Sequence, residues 1–151
     1  MDLTALVTGA ARGIGRSVVA RLRTAGYRVV AVDISPAVAD LAEDDWVVPL
    51  PADVTAAGSP HTAVDRAVTT FGRLDLLVNN AGRFLRRPIL DTTDDDFDAL
   101  FAVNVRPAFR FARAALPHLT EAGGCIVNVA SISGLIGVPN QSVYAMTKGA
   151  T

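Results

Sequence analysis

A chain of 151 residues, half of them hydrophobic, is long enough to bury one sizeable core and too apolar to stay disordered. Its 14 basic and 15 acidic residues leave a formal net charge of −1, which excludes bulk attraction to nucleic acid or an anionic membrane and points to a small-molecule partner. A lone cysteine, Cys125, excludes an internal disulfide, and no run approaches the ~18 apolar residues of a membrane span. The N-terminus runs straight into "MDLTALVTG", with no basic region, long apolar core or cleavage site, so a cytoplasmic location is expected.

In chain order, the first strand is expected at Leu3 to Val7. It is followed by "TGAARGIG", Thr8 to Gly15, which opens a helix carrying Ile14, Val18 and Leu22 at i, i+4, i+8. Gly9, Gly13 and Gly15 suit a tight turn that brings backbone amides and a helix N-terminus close to a pyrophosphate. Thr8, Arg12 and Ile14 belong to the same candidate cofactor loop. A second strand, Arg28 to Val32, ends at Asp33, where a carboxylate meets the adenosine ribose hydroxyls and repels a 2′-phosphate. Arg12 favours that phosphate instead. Asp33 bears directly on the 2′-oxygen and weighs more, so NAD is favoured over NADP.

The third strand is expected at Trp46 to Leu50, with "TAAGSPH" at 55 to 61 as the exposed loop beyond it. A second helix carries Val64, Ala67, Val68 and Phe71, and a fourth strand spans Leu74 to Val78. "NNAG", Asn79 to Gly82, reads as a strand-end turn passing close to a cofactor, with Asn80, Ala81 and Gly82 as contacts. Arg83, Arg86 and Arg87 follow; these are solvated charges, with a role toward an anionic substrate as the alternative.

One long helix is expected from Thr93, capped by its hydroxyl and by Asp94, Asp95 and Asp96 at the positive end of its dipole. Its apolar stripe holds Phe97, Leu100, Phe101, Ala108 and Phe111, and Asn104 falls on that stripe. A buried amide is costly unless hydrogen-bonded, and Pro107 cannot donate to the carbonyl of Val103, so the helix should kink or loosen there. The fifth strand, Cys125 to Ala130, carries the cysteine as an inert buried residue. Most strands are apolar at consecutive positions, as in parallel sheets covered on both faces. The alternation predicts an α/β fold of Rossmann-like, doubly wound type, five parallel strands with helices on both faces, and 1–151 as one NAD(P)-binding domain. Finally, "YAMTK" sets Lys148 one helical turn after Tyr144, where its charge lowers the pKa of a phenol that is otherwise ~10. His61 and His118 have no ligand partner at useful spacing, so no metal site is expected.

Together these motifs resemble the short-chain dehydrogenase/reductase family. "TGAARGIG" matches its cofactor loop, "NNAG" its motif after the fourth strand, and "YAMTK" its Tyr-x-x-x-Lys. Asn104 in "VNV" and Ser131 in "VASISG", 13 positions before Tyr144, complete its catalytic tetrad. "ADV", Ala52 to Val54, matches the adenine segment, with Asp53 and Val54 as contacts. The resemblance covers essentially the whole chain. It implies an oxidoreductase moving a hydride between NAD(P) and a secondary alcohol or ketone: a sugar, a steroid-like alcohol or a 3-oxoacyl thioester. Tyr144 would be the acid/base, Ser131 would polarise the carbonyl, Lys148 would also bind the nicotinamide ribose, and Asn104 would hold a water in a proton relay. A non-catalytic dinucleotide-binding remnant is the alternative.

On the family pattern, further helices, strands and a substrate loop follow the lysine, whereas this sequence reaches Thr151 three residues later. The expectation is therefore a family member cut in mid-helix, with its fifth strand an exposed edge, weakly folded or poorly soluble and with little activity. A homo-tetramer or dimer, built on the long helix and the tyrosine helix, is expected of the full-length form.

Overall fold

The computed structural model describes residues 2–41 and 45–151. Five strands, β1 (Leu3–Thr8), β2 (Tyr27–Asp33), β3 (Val47–Pro51), β4 (Leu76–Asn79) and β5 (Cys125–Asn128), form one parallel sheet in the order β3-β2-β1-β4-β5. In β1, Leu6 lies opposite Val30 of β2 and Leu77 of β4. Its alternate residues go to different cores. Leu6, Val30, Val32 and Leu77 pack against α2 (Ser59–Phe71) and α4 (Arg106–Ala122) through Val64, Ala67, Phe111 and Ala115. Ala5, Val7, Val29 and Ala31 pack on the opposite face against α1 (Gly13–Thr24) and the 3-10 turn Pro36–Leu41. That two-faced burial is why the central strands are continuously apolar, and it makes the fold a doubly wound, Rossmann-like sheet. The strand order reverses between β1 and β4, which opens a crevice at their carboxyl ends.

Local structure departs from the sequence reading in several places, among them the end of β5, which comes at Asn128 rather than Ala130. On α1, Ile14 is 64% exposed while Gly15 and Val19 are buried, because the first turn overhangs the crevice rather than the sheet. The loop expected at 55 to 61 is shorter: α2 already starts at Ser59, and Ser59 and Pro60 are buried. Strand β4 begins at Leu76, not Leu74. Asp75 turns in instead, taking the Thr4 amide on its carboxylate (2.8 Å) and the Cys125 amide on its carbonyl (2.9 Å). Burial pushes the Asp75 carboxyl up, but Arg73 and the Thr4 amide outweigh it and hold it below the ordinary range.

The long helix is two helices, α3 (Asp94–Asn104) and α4, parted at Val105 (φ −113°, ψ −56°). The loosening expected from Pro107 therefore falls immediately after Asn104. Leu100 and Asn104 are the buried face of α3, while Phe97 is 39% exposed and stacks on Phe101. Last, Cys125 is exposed, since β5 is an edge of the described sheet and Val127 beside it is also open to solvent.

The Thr93 cap forms as expected, and it is a capping box. Thr93 Oγ1 accepts the Asp96 amide at 3.2 Å, and Asp96 Oδ2 accepts the Thr93 amide at 3.1 Å. The Thr93 amide and hydroxyl, both donating to Asp96 Oδ2, with Arg87, lower the Asp96 pKa. Thr93→Ala is expected to cost about 1 kcal/mol in urea unfolding. A loss under ~0.3 kcal/mol would show that the box is idle.

Candidate active site

The crevice at the carboxyl ends of β1 and β4 is a cleft of about 900 Å³. One wall is the glycine loop: Gly9, Arg12, Gly13, Ile14 and Gly15. A second wall carries Asp33, Asp53 and Val54, and a third Asn80, Ala81 and Gly82. Gly9 and Gly13 have left-handed backbone (φ +67° and +55°), which side chains with a Cβ resist. Around Gly13 no atom lies within 4 Å of where a Cβ would stand, so its backbone is open for a ligand to approach.

Thr8 does not line the cleft. It is buried, and its hydroxyl donates to Val78 O and accepts the amides of Asn80 (3.0 Å) and Ala81 (3.1 Å). Asn80 returns the connection, its Nδ2 donating to the carbonyls of Thr8 (2.9 Å) and Gly9 (3.0 Å). The glycine loop and the "NNAG" turn are thus one hydrogen-bonded unit, and Thr8 shapes the cleft from behind. Asn79 reaches the other way, its Nδ2 donating to Asn128 Oδ1 of β5 at 2.9 Å. Asp33 accepts the Ala11 amide on one oxygen and the Ser35 amide on the other, both at 2.9 Å, which fixes its carboxylate at the cleft wall.

Asn104, Ser131, Tyr144 and Lys148 do not line this cleft: Asn104 and Lys148 stand behind its Gly82, Tyr144 meets its Phe84, and Ser131 lies outside these contacts. Tyr144 and Lys148 lie on α5 (Ser142–Gly149), as their spacing predicts. Lys148 is buried and its Nζ donates to Val129 O at 2.7 Å; burial pushes its pKa below the ordinary lysine value. Asn104 is buried and satisfied. Its Oδ1 accepts the Arg83 amide (2.7 Å), and its Nδ2 donates to Arg83 O (3.0 Å) and Thr147 Oγ1 (2.9 Å). A Cβ on Gly82 would lie 3.3 Å from Asn104 Oδ1 and 3.7 Å from Lys148 Nζ, so Gly82 leaves a small space bounded by both. Ser131 caps the 3-10 turn Ile132–Gly134, its Oγ accepting the Ser133 amide at 3.2 Å. With that lone pair used, its hydroxyl proton remains available to an acceptor.

Other residues of the site escaped the sequence reading. Thr147 is fully buried and links Asn104 to α5, its hydroxyl donating to Tyr144 O at 2.7 Å. Phe84 lines the cleft and meets Tyr144 edge-on, and Arg110 of α4 braces the turn beside Asp53 by donating to Thr55 O at 3.2 Å. Only the placement of Thr147 between the tyrosine and the lysine offered a signal. Among the described residues no cluster of three His, Cys, Asp or Glu is placed to hold a metal.

Comparison with known proteins bears on the family and the fold. The family model for short chain dehydrogenase matches residues 3–151. The chain is 38% identical to 2-(R)-hydroxypropyl-CoM dehydrogenase of Xanthobacter autotrophicus over 99% of its own length and 64% of that protein's. It is 41% identical to carbonyl reductase (NADPH) 2 of Sus scrofa, over 98% and 61%. With cyclopentanol dehydrogenase of Comamonas testosteroni it shares 38% identity, over 99% and 62%. Among solved structures, a short-chain dehydrogenase from Streptomyces avermitilis superposes with TM-score 0.92 at 33% identity, covering 99% of this chain and 57% of that one. ElxO with NADP bound superposes with TM-score 0.92 at 30% identity, covering 99% and 64%. The chain thus spans under two thirds of the length of these relatives.

Proposed function

This chain belongs to the short-chain dehydrogenase family, and from that membership we propose that it binds a nicotinamide dinucleotide in the cleft and interconverts a secondary alcohol and a ketone. The observation that carries the reading is continuity. A cleft of about 900 Å³, walled by the glycine loop, runs to Gly82 and Phe84, beside the phenol of Tyr144 and the ammonium of Lys148. The residues fit the group: the cleft is within the usual range of ligand sites, and the Gly13 backbone is uncovered where a pyrophosphate needs amides.

A bound nicotinamide supplies the hydride donor or acceptor. Tyr144 gives or takes the proton at the carbonyl oxygen, and the Ser131 hydroxyl donates to that same oxygen. Lys148, held toward Gly82, would reach the ribose and set a positive charge at that end of the cleft. Asn104 Oδ1 keeps a second lone pair facing the space over Gly82, where a water would connect it to Lys148 Nζ.

Asp33 sets the cofactor preference in this reading. Its two amide bonds hold a charged carboxylate at the adenosine end, which accepts ribose hydroxyls and repels a 2′-phosphate, so NAD is preferred. Titration with both dinucleotides tests this. Wild-type chain should bind NAD at least about ten-fold tighter than NADP, and Asp33→Ala should erase the gap. A preference for NADP in the wild type would reverse the assignment. Turnover on sugar, alicyclic and 3-oxoacyl thioester ketones tests the chemistry; NAD binding with no turnover on any of them would favour a non-catalytic binding protein.

A further inference from the structure

Between the cleft and the proposed acid/base stands Phe84, which lines the cleft next to Gly82 and Arg83. Its ring centroid is 4.9 Å from that of Tyr144 with the planes at 78°, an edge-to-face contact, and the residue is still 55% exposed. The backbone on either side of it is pinned. Arg83 exchanges two hydrogen bonds with Asn104, while the Arg87 amide donates to Asn140 O at 2.7 Å and the Arg87 side chain pairs with Asp96. An aromatic ring on a loop held at both ends is pre-organised, so its position is a property of the fold rather than of a mobile surface side chain.

We propose that Phe84 is a positioning and specificity-determining residue: it holds the Tyr144 ring and forms the apolar wall on which one substituent of the carbonyl carbon rests. This rests on the oxidoreductase reading above and deepens it. A carbonyl whose oxygen reaches the Tyr144 phenol must pass one flank over the neighbouring Phe84 ring. Polyhydroxylated flanks would lose hydration against that face without gaining a partner, whereas an apolar, ring-sized flank buries area on it. The substrate class is therefore a ketone or secondary alcohol bearing an alicyclic or aromatic group, and sugars are disfavoured.

The test uses the chain saturated with NAD, with cyclohexanone and acetone as probes and ligand-observed NMR as readout. Wild type is expected to bind cyclohexanone roughly ten-fold tighter than acetone. Phe84→Ala should erase that preference, costing cyclohexanone more affinity than acetone, while Phe84→Tyr, which keeps the ring, should restore it. The Tyr144 ring protons should also lose their ring-current displacement in the alanine variant and keep it in the tyrosine variant. Equal weakening of both ketones by Phe84→Ala, or a preference that survives it, would overturn the proposal. So would a chain that binds NAD but shows no preference for cyclohexanone, which leaves the nucleotide site standing. A chain that binds no dinucleotide sinks the oxidoreductase reading itself.

Discussion

Gly15→Ala is expected to lower stability by about 3 kcal/mol and to weaken dinucleotide binding more than about a hundred-fold. A Cβ at this position would lie 2.0 Å from Gly9 O, 2.7 Å from Gly9 C and 2.6 Å from Asn80 Nδ2. None of these can step aside cheaply. Gly9 is backbone in a left-handed turn, and the Asn80 amide already holds the Thr8 and Gly9 carbonyls. The loop must move as a unit, and with it the first turn of α1 and the "NNAG" turn. Against a total stability of ~5–15 kcal/mol, that is a large share. Gly13→Ala is the control: it meets no atom, so its cost is the backbone strain of φ +55°, about 1–2 kcal/mol. Urea unfolding and NAD titration of the two variants decide the matter. Gly15→Ala within 1 kcal/mol of wild type and within three-fold in affinity would refute the close-packing argument.

Tyr144→Phe is expected to reduce turnover on ketones by about 10²–10⁴-fold while leaving NAD affinity within a few fold. It removes one oxygen from a half-buried ring whose contact with Phe84 survives. Lys148→Met isolates the electrostatic half of the same device. Without that charge, turnover on ketones should fall as well, with the Tyr144 hydroxyl still in place.

The same variant has a stability signature that needs no turnover. Burial lowers the Lys148 pKa, so in the ordinary lysine titration range the folded chain binds fewer protons at this group than the unfolded chain. Stability from Lys148 therefore rises as pH climbs from the lowered value toward the ordinary value of 10.5, and is lost again on the way down. Lys148→Met should flatten that rise in urea midpoints taken between neutral and alkaline pH. An unchanged slope would show that the ammonium is not desolvated; Tyr144→Phe turnover within ten-fold of wild type would remove the phenol from the chemistry.

Much of the fold was legible because its causes are local. Val29 to Val32 read as a buried strand since both its faces are covered, and Thr93 with Asp96 read as a helix start since a cap closes within one turn. The errors fall where a local pattern meets a distant neighbour. Ile14 keeps the period of α1 but sits past the sheet, over the cleft. Cys125 keeps the apolar look of a core strand but lies at an edge. Thr8 belongs to the cofactor-loop motif, yet its hydroxyl is directed into Val78, Asn80 and Ala81, some seventy residues downstream.

The amino-acid sequence by itself determined the alternation of strands and helices, the glycines that a left-handed turn requires, and the residue types able to move a proton. These follow from backbone freedom, hydrophobic period and intrinsic acidity, which each residue carries with it. Only the tertiary structure decided the partners. Asn104 meets Arg83 and Thr147, Lys148 reaches Val129, and Phe84 stands against Tyr144. Those pairings join separate segments brought to one end of the sheet by its β3-β2-β1-β4-β5 order. Periodicity reports which face a side chain is on; what waits on that face depends on how the chain returns to it.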